Sequence, residues 1–243
     1  MQNCTLRLME KLIYLLGETE SGNVPRGRSD LRERLFSAAS DLAAEGARDI
    51  TFCVADVEDP DLAEIVQFNA MGMLDAQISL WVDSIDDRAG IEAIVAELTP
   101  RHAGYLVTES ILRDYPESSW DRRSWKPGEA SPGISIFTSF PKPDRLDLET
   151  FYARWHGSHG PLTLELHPLT RYVRNAVFRP LTKDAPTLHA IVSESVESCA
   201  VAADVEQFYS GKENRKRIVK DVLSFAEIET MSSVVMREYI LEV

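Results

Sequence analysis

The chain has 243 residues, 44% hydrophobic and 27% charged, with a formal charge of −13 at pH 7. Folding at that length hides roughly 70–75% of the unfolded surface, so a core forms without disulfide or metal staples. The acidic balance excludes a nucleic-acid backbone as partner because phosphates are repelled, and no stretch approaches the ~18 uncharged apolar residues of a membrane span.

Cys4, Cys53 and Cys199 are far apart, odd in number and free of any CxxC spacing. They read as thiols in a reducing, cytoplasmic setting. The opening "MQNCTLRLMEKLIYLLG" does not read as a secretory leader, since Arg7, Glu10 and Lys11 interrupt its apolar run.

In chain order, "KLIYLLG" (11–17) predicts a short buried strand. "SDLRERLFSAASDLAAEGA" (29–47) predicts a helix capped by Ser29 or Asp30, with Leu31, Leu35, Ala38, Ala39 and Leu42 on one face and a stop near Gly46. "DITFCVAD" (49–56) and "QISLWVD" (77–83) predict strands, separated by an insertion at 59–73 with a short helix and loop. A second helix at 87–99 and a strand at 103–112 complete the series. The series then restarts: a strand at 133–140, a helix at 146–160, strands at 171–178 and 188–195, helical sequence over roughly 198–228, and a last strand at 233–243.

Each half therefore reads β-α-β-β-α-β, the ferredoxin-like unit. "VDSIDD" (82–87) answers "SESVES" (193–198), and "TESIL" (108–112) answers "REYIL" (237–241), in the same order. The join at 113–132 has the prolines, serines and charges of a linker, with Trp120 and Trp125 pinning it to the surface. The expected fold class is α+β: domains at 1–112 and 133–243 whose bare sheet faces pair into a barrel-like sandwich with helices outside. A swapped homodimer is the rival arrangement. The basic run "KENRKRIVK" (212–220) reads as a solvated helix face or an anion contact.

The stretch "FYARWHGSHGPL" (151–162) holds His156 and His159, and His167 follows it. With Asp147 as N-cap, Leu148, Phe151, Tyr152, Trp155, His159 and Leu162 fall on one stripe that must face the sheet. Gly160-Pro161 is expected to end or kink the helix just after His159, because proline lacks a donor and clashes with the preceding turn. An imidazole there sees both core and cavity, and a proton affinity near neutrality suits general acid–base work. The alternative is a satisfied core or capping histidine, which is also the reading for His102 and His189. His156 and His159 at i, i+3 lack a third ligand for a metal, and nothing else marks a haem pocket. No cofactor is expected.

Phe151, Trp155, His159-Gly160-Pro161-Leu162, then Tyr172-Val173 and Asn175, resemble the EthD family of the dimeric α/β-barrel superfamily, whose signature is close to F-x3-W-x3-H-x-P-L followed by Y-V-x-N. The resemblance covers roughly 133–243, including Asp221, Phe225 and Glu238. Setting Asp30 against Asp147 puts Ala38 opposite Trp155 and Leu42 opposite His159, so the first half looks like a degenerate copy without a site. The resemblance implies tandem ferredoxin-like domains paired as a dimeric α/β barrel, with a pocket between sheet and helices. It leaves the reaction open.

The expected function is a cofactor-independent enzyme acting on a small apolar or aromatic catabolite by isomerisation, cyclisation or elimination. His159 moves the proton, with Trp155, Tyr172, Asn175 and His156 around the substrate. Asn175 fixes a ligand oxygen or bonds neighbouring backbone, and Glu238 is a solvent-facing strand residue, an arginine partner or an acid. The alternative is a non-catalytic small-molecule-binding or accessory protein.

Overall fold

The computed structural model describes residues 9–24, 27–116 and 122–242; Cys4, Arg7 and Trp120 lie outside them. The first half runs β1 (Glu10–Leu16), α1 (Ser29–Ala44), β2 (Arg48–Val54), the two-residue β3 (Phe68–Asn69), β4 (Ala76–Val82), α2 (Ala89–Leu98) and β5 (His102–Arg113). The second runs β6 (Ile134–Phe140), α3 (Leu148–Tyr152), a π-helical segment (Ala153–His159), α4 (Gly160–Leu166), β7 (Arg171–Pro180), β8 (Ala190–Val196), α5 (Cys199–Ala203), α6 (Val205–Tyr209), α7 (Lys212–Phe225) and β9 (Ser232–Ile240). The predicted helix at 29–47 forms, but its cap differs: Arg28 is the N-cap, without a side-chain hydrogen bond. The insertion supplies a 3-10 turn at Pro60–Glu64 and β3.

Eight strands close on themselves in the order β2-β4-β1-β5-β7-β8-β6-β9, with β9 returning to β2. Neighbours in the ring are antiparallel. Both halves thread their strands in the same internal order, and the last strand of each pairs with the second strand of the other. Closure is internal to the chain and satisfies both edges of each four-strand set. β3 extends the seam by pairing with Ser232 and Ser233 of β9.

Strand alternation sends one set of side chains inward and the other toward the helices. Ile13, Tyr105, Val107, Phe137, Ile191 and Met236 pack inside the barrel. Outside, α1 and α2 seal the first half with Leu31, Leu35, Leu42, Ile91 and Val95. Phe151, Trp155, Phe208 and Phe225 cover the second.

One end of the barrel is charged. Lys11 pairs with Glu109, and Arg171 reaches Glu238 at 2.6 Å. The Tyr115 hydroxyl donates to the same carboxylate at 3.0 Å. Glu238 is thus an arginine partner. The join at 113–132 is held to the barrel: Trp125 packs edge-on to Tyr115 at 5.0 Å, and Gly128 and Ser131 donate backbone hydrogen bonds to β9.

Glu238→Ala should destabilise the fold by about 3 kcal/mol, because it strands a mostly buried guanidinium. The figure is at the low end of the range since Asp114 still meets Arg171 at 3.0 Å. Asp114→Ala, at the exposed end of the network, should cost less than about 1 kcal/mol. Urea unfolding of the two variants checks the contrast; equal losses would refute it.

Candidate functional site

The histidine-bearing helix starts as its sequence indicates. Asp147 caps it by accepting from the Thr150 N–H at 2.6 Å, and Phe151 and Trp155 are fully buried toward the sheet. Leu148, expected on the same stripe, is instead 50% exposed, because it sits in the first turn beyond the sheet-facing run. The expected break at Gly160-Pro161 does not occur. The chain widens into a π-helix over Ala153–His159 and continues as α4 to Leu166. In the wide turn, Gly160 N–H bonds to the Trp155 carbonyl, five residues back. That register draws the carbonyls ahead of Pro161 away from its ring, which removes the clash that ends an α-helix.

The π turn aims His159 inward. Its Nδ1 lies 2.9 Å from Asp221 Oδ2 on α7, and its ring rests on Phe225 at 4.8 Å. Ser158 Oγ donates to the other Asp221 oxygen at 2.8 Å. A carboxylate only accepts, so Nδ1 carries the hydrogen and Nε2 keeps its lone pair. The Thr163 hydroxyl lies 3.3 Å from Nε2. Burial lowers the proton affinity of His159 below the ordinary imidazole value, Asp221 opposes this, and Arg174 adds to the lowering. Burial wins, so the ring is a neutral base at pH 7 rather than one poised at neutrality.

His159 opens on a cavity of about 630 Å³ between the second-half sheet and its helices. Trp155, Phe140, Phe208 and Phe225 make its walls largely aromatic, and Tyr172 stands on the sheet side. The Tyr172 hydroxyl is buried; Thr163 approaches it without the geometry of a hydrogen bond. His167 also lines the space, with its ring 4.2 Å from Phe208. Burial, and secondarily His159, lower its pKa to about 4.

Two expected site residues lie elsewhere. Asn175 shares the barrel-interior face of β7 with Val173 and Val177, opposite to Tyr172, and its Nδ2 donates to the Ile191 carbonyl at 3.3 Å. It bonds backbone and does not line the cavity. His156, expected beside the substrate, has its ring 4.4 Å from Trp155, outside the cavity lining. Burial and Arg174 lower its pKa to about 4. The Nδ1 atoms of His102 and His189 meet the Thr99 carbonyl and the Lys142 N–H.

Glu194 is the residue that sequence reading missed. It lies on β8 between Tyr172 of β7 and Ile136 of β6 in the register, and its side chain lines the cavity. The residue is half-buried, and burial alone raises its pKa to about 7. The signal was present: Ala190, Val192 and Val196, the other residues on its face, are all apolar and buried. A glutamate in such a row is an acid on an otherwise apolar face.

In the first half the positions aligned with the site are filled. Leu42 and Ala38, aligned with His159 and Trp155, are packed in the core beneath α1. A shallower hollow of about 550 Å³, edged by Arg32, Phe36 and Arg237, is more open to solvent. Among the described residues, no group of three or more His, Cys, Asp or Glu is placed to hold a metal ion. An imidazole with Nδ1–H given to a carboxylate suits metal ligation, but no set of three such ligands among the described residues gathers around it. Of the cavity-lining residues only Arg215 carries a fixed positive charge for a haem carboxylate, so haem fits poorly.

The chain matches no protein-family profile and no curated protein by sequence. Its structure is similar to that of an anthrone oxidase-like protein, with TM-score 0.56 and 13% identity over 97% of this chain and 92% of that one. A putative monooxygenase from Fusobacterium nucleatum aligns over 96% of this chain and 92% of its own at 10% identity and TM-score 0.47. A dye-decolorizing peroxidase from Bacteroides thetaiotaomicron aligns over 95% and 93% at 9% identity and TM-score 0.47. The first likeness establishes a shared α/β-barrel fold; the other two carry no further weight. The EthD resemblance rests on the residues of the helix and strand alone. No helix among the described residues is long and apolar enough to cross a membrane.

Glu194 makes folding sensitive to pH in a defined direction. Its folded pKa is raised from 4.5 to about 7, so between those values the folded state binds more protons than the unfolded one. Stability from this group is full below pH 4.5 and is lost as pH rises through 7. Glu194→Gln should therefore match the wild type near pH 4 and exceed its stability by about 3 kcal/mol at pH 8. Chemical denaturation at the two pH values reads this; a constant difference would show that Glu194 titrates normally.

Proposed function

We propose that the chain is a small-molecule enzyme of EthD type, working without a cofactor on an apolar or aromatic catabolite by proton transfer. In this reading it consists of two ferredoxin-like copies, 1–112 and 133–243, joined by 113–132, acting in the cytoplasm. The second copy alone carries the site. One observation supports it above others: an imidazole braced by a carboxylate, with a neutral Nε2, on the wall of an aromatic cavity.

The chemistry follows from those atoms. Once the Thr163 hydroxyl, 3.3 Å away, turns aside, Nε2 accepts a proton from a carbon next to a carbonyl, and the electron pair moves to the carbonyl oxygen. Asp221 stabilises the imidazolium that forms. The Tyr172 hydroxyl, buried with no hydrogen-bond acceptor among the described residues, is a donor for the oxygen on which charge develops. Return of the proton to a second carbon completes an isomerisation. Trp155 shapes the wall, and its burial excludes water. Asn175 and His156 make no direct contact with substrate in this reading. One solved structure of similar fold is called anthrone oxidase-like; that name fits an aromatic ligand and supports no particular reaction here.

The proton transfer is testable without the natural substrate. In D2O, NMR follows deuterium uptake at the acidic carbon of 2-tetralone, a small aromatic ketone. The wild type should accelerate exchange, and His159→Ala should lower the enzymic rate at least ~100-fold while unfolding at a similar temperature. His159→Asn should bind the ketone without exchanging it. His156→Ala should stay within about threefold of wild type, as its ring is off the cavity. Full exchange by a folded His159→Ala protein would remove the catalytic role. Binding without exchange in the wild type would favour a ligand-binding accessory protein.

A further inference from the structure

Glu194 takes no part in the proton transfer described above, yet it faces the same cavity. Its surroundings on every side can be named. Tyr172 flanks it from β7 and Ile136 from β6. Tyr209 faces it from α6 and His167 from the end of α4, with His159 on the π segment and Glu64 on the 3-10 turn. Arg215 of α7 carries the one fixed positive charge among the cavity-lining residues. That guanidinium is exposed and lies over the Tyr209 ring, 5.9 Å from its centre.

Glu194 has no hydrogen bond or ion pair with any described residue. His159 and His167 are both held toward their neutral forms by burial, and behind His159 stands a further carboxylate, Asp221. Arg215 lies over Tyr209, and Arg174, two residues from Tyr172 on the same face of β7, lies over the Trp155 ring at 5.6 Å; neither guanidinium makes an ion pair with Glu194. Two anions enclosed together in such a space repel strongly, whereas a neutral carboxyl donates a hydrogen bond to any oxygen that reaches it.

We propose that Glu194 sets the charge class of the ligand: the cavity takes uncharged aromatic molecules whose oxygen accepts a hydrogen bond from the Glu194 carboxyl, and it rejects aromatic carboxylates once Glu194 ionises. This rests on the reading of the cavity as the ligand site. Burial supports it by holding the acid protonated until about pH 7. The aromatic walls supply affinity for the ring system, and the single acid supplies discrimination by charge.

The experiment compares two probes of one ring system, the neutral ketone 2-acetylnaphthalene and the anion 2-naphthoate, by calorimetry at pH 6 and pH 8. Naphthoate is ionised at both. For an acid titrating near 7, the protonated fraction falls about tenfold across that interval. Naphthoate affinity should fall by about tenfold and the ketone by less than about threefold. In Glu194→Gln, whose amide donates but never ionises, both affinities should be independent of pH. Carbon-13 NMR of labelled glutamate, with Glu194→Gln to assign the signal, gives the titration without any ligand. A midpoint in the ordinary carboxylate range overturns the proposal. So does naphthoate binding that is equal at both pH values, or a pH dependence that persists in Glu194→Gln; in these cases the cavity stands as a ligand site. If neither probe binds although Glu194 titrates near 7, the ligand-site reading fails and this proposal with it.

Discussion

Closure of eight antiparallel strands into one ring divides the side chains of every strand between two environments. Because the period is two, a residue's parity decides whether it meets the barrel interior or the helices. On β7 this sends Tyr172 to the cavity and Asn175 to the interior. On β8 it places Glu194 in the otherwise apolar row with Ala190, Val192 and Val196. A shift by one residue would exchange these sets, putting Glu194 inside the barrel and Ser193 beneath the helices. The ring forbids the shift, because each strand is held on both sides.

The halves share a strand order but not a helix layer. In the first, leucines and alanines on α1 pack with the branched side chains of α2, and Leu42 is fully buried among them. In the second, the π segment and α7 stand over the sheet on bulky aromatic rings, which fill their volume less completely and leave the cavity. The π turn also changes what proline does. In a regular helix Pro161 would end the element; in the widened one the helix carries on for two further turns. His159 then sits within a continuous rod, where Asp221 and Phe225 of α7 reach it from one side.

Much of this was legible from the sequence because it depended on local rules. Period-two and helical patterns marked the strands and helices, and Asp147 marked a cap that forms as expected. The stripe of Phe151, Trp155 and His159 follows from helical spacing that survives the extra residue of the π turn. Asn175 and Glu194 were harder for one reason. In this barrel both faces of a strand are buried, so alternation shows which residues travel together but not which face holds the site. A polar residue on either face then looks equally like a structural hydrogen-bonder. The π segment had no local signature beyond the proline that seemed to forbid a helix.

The electrostatics of the cavity follow from the same burial. Desolvation disfavours whichever form is charged, so it moves acids and imidazoles in opposite directions. Glu194 is pushed up to about 7, and His167 is pulled down to about 4. His159 is lowered too, although Asp221 restrains it. Glu194 is uncharged below about pH 7 and His167 above about pH 4, so over that interval neither brings a charge to the aromatic space. Below the interval His167 gains a proton and above it Glu194 loses one, so the cavity turns cationic on one side and anionic on the other. Between those values the acid and the imidazole leave Arg215 as the fixed positive charge among the cavity-lining residues. Beyond that charge, the cavity's selectivity must come from shape, from ring stacking and from hydrogen bonds made by groups that are neutral when the ligand arrives.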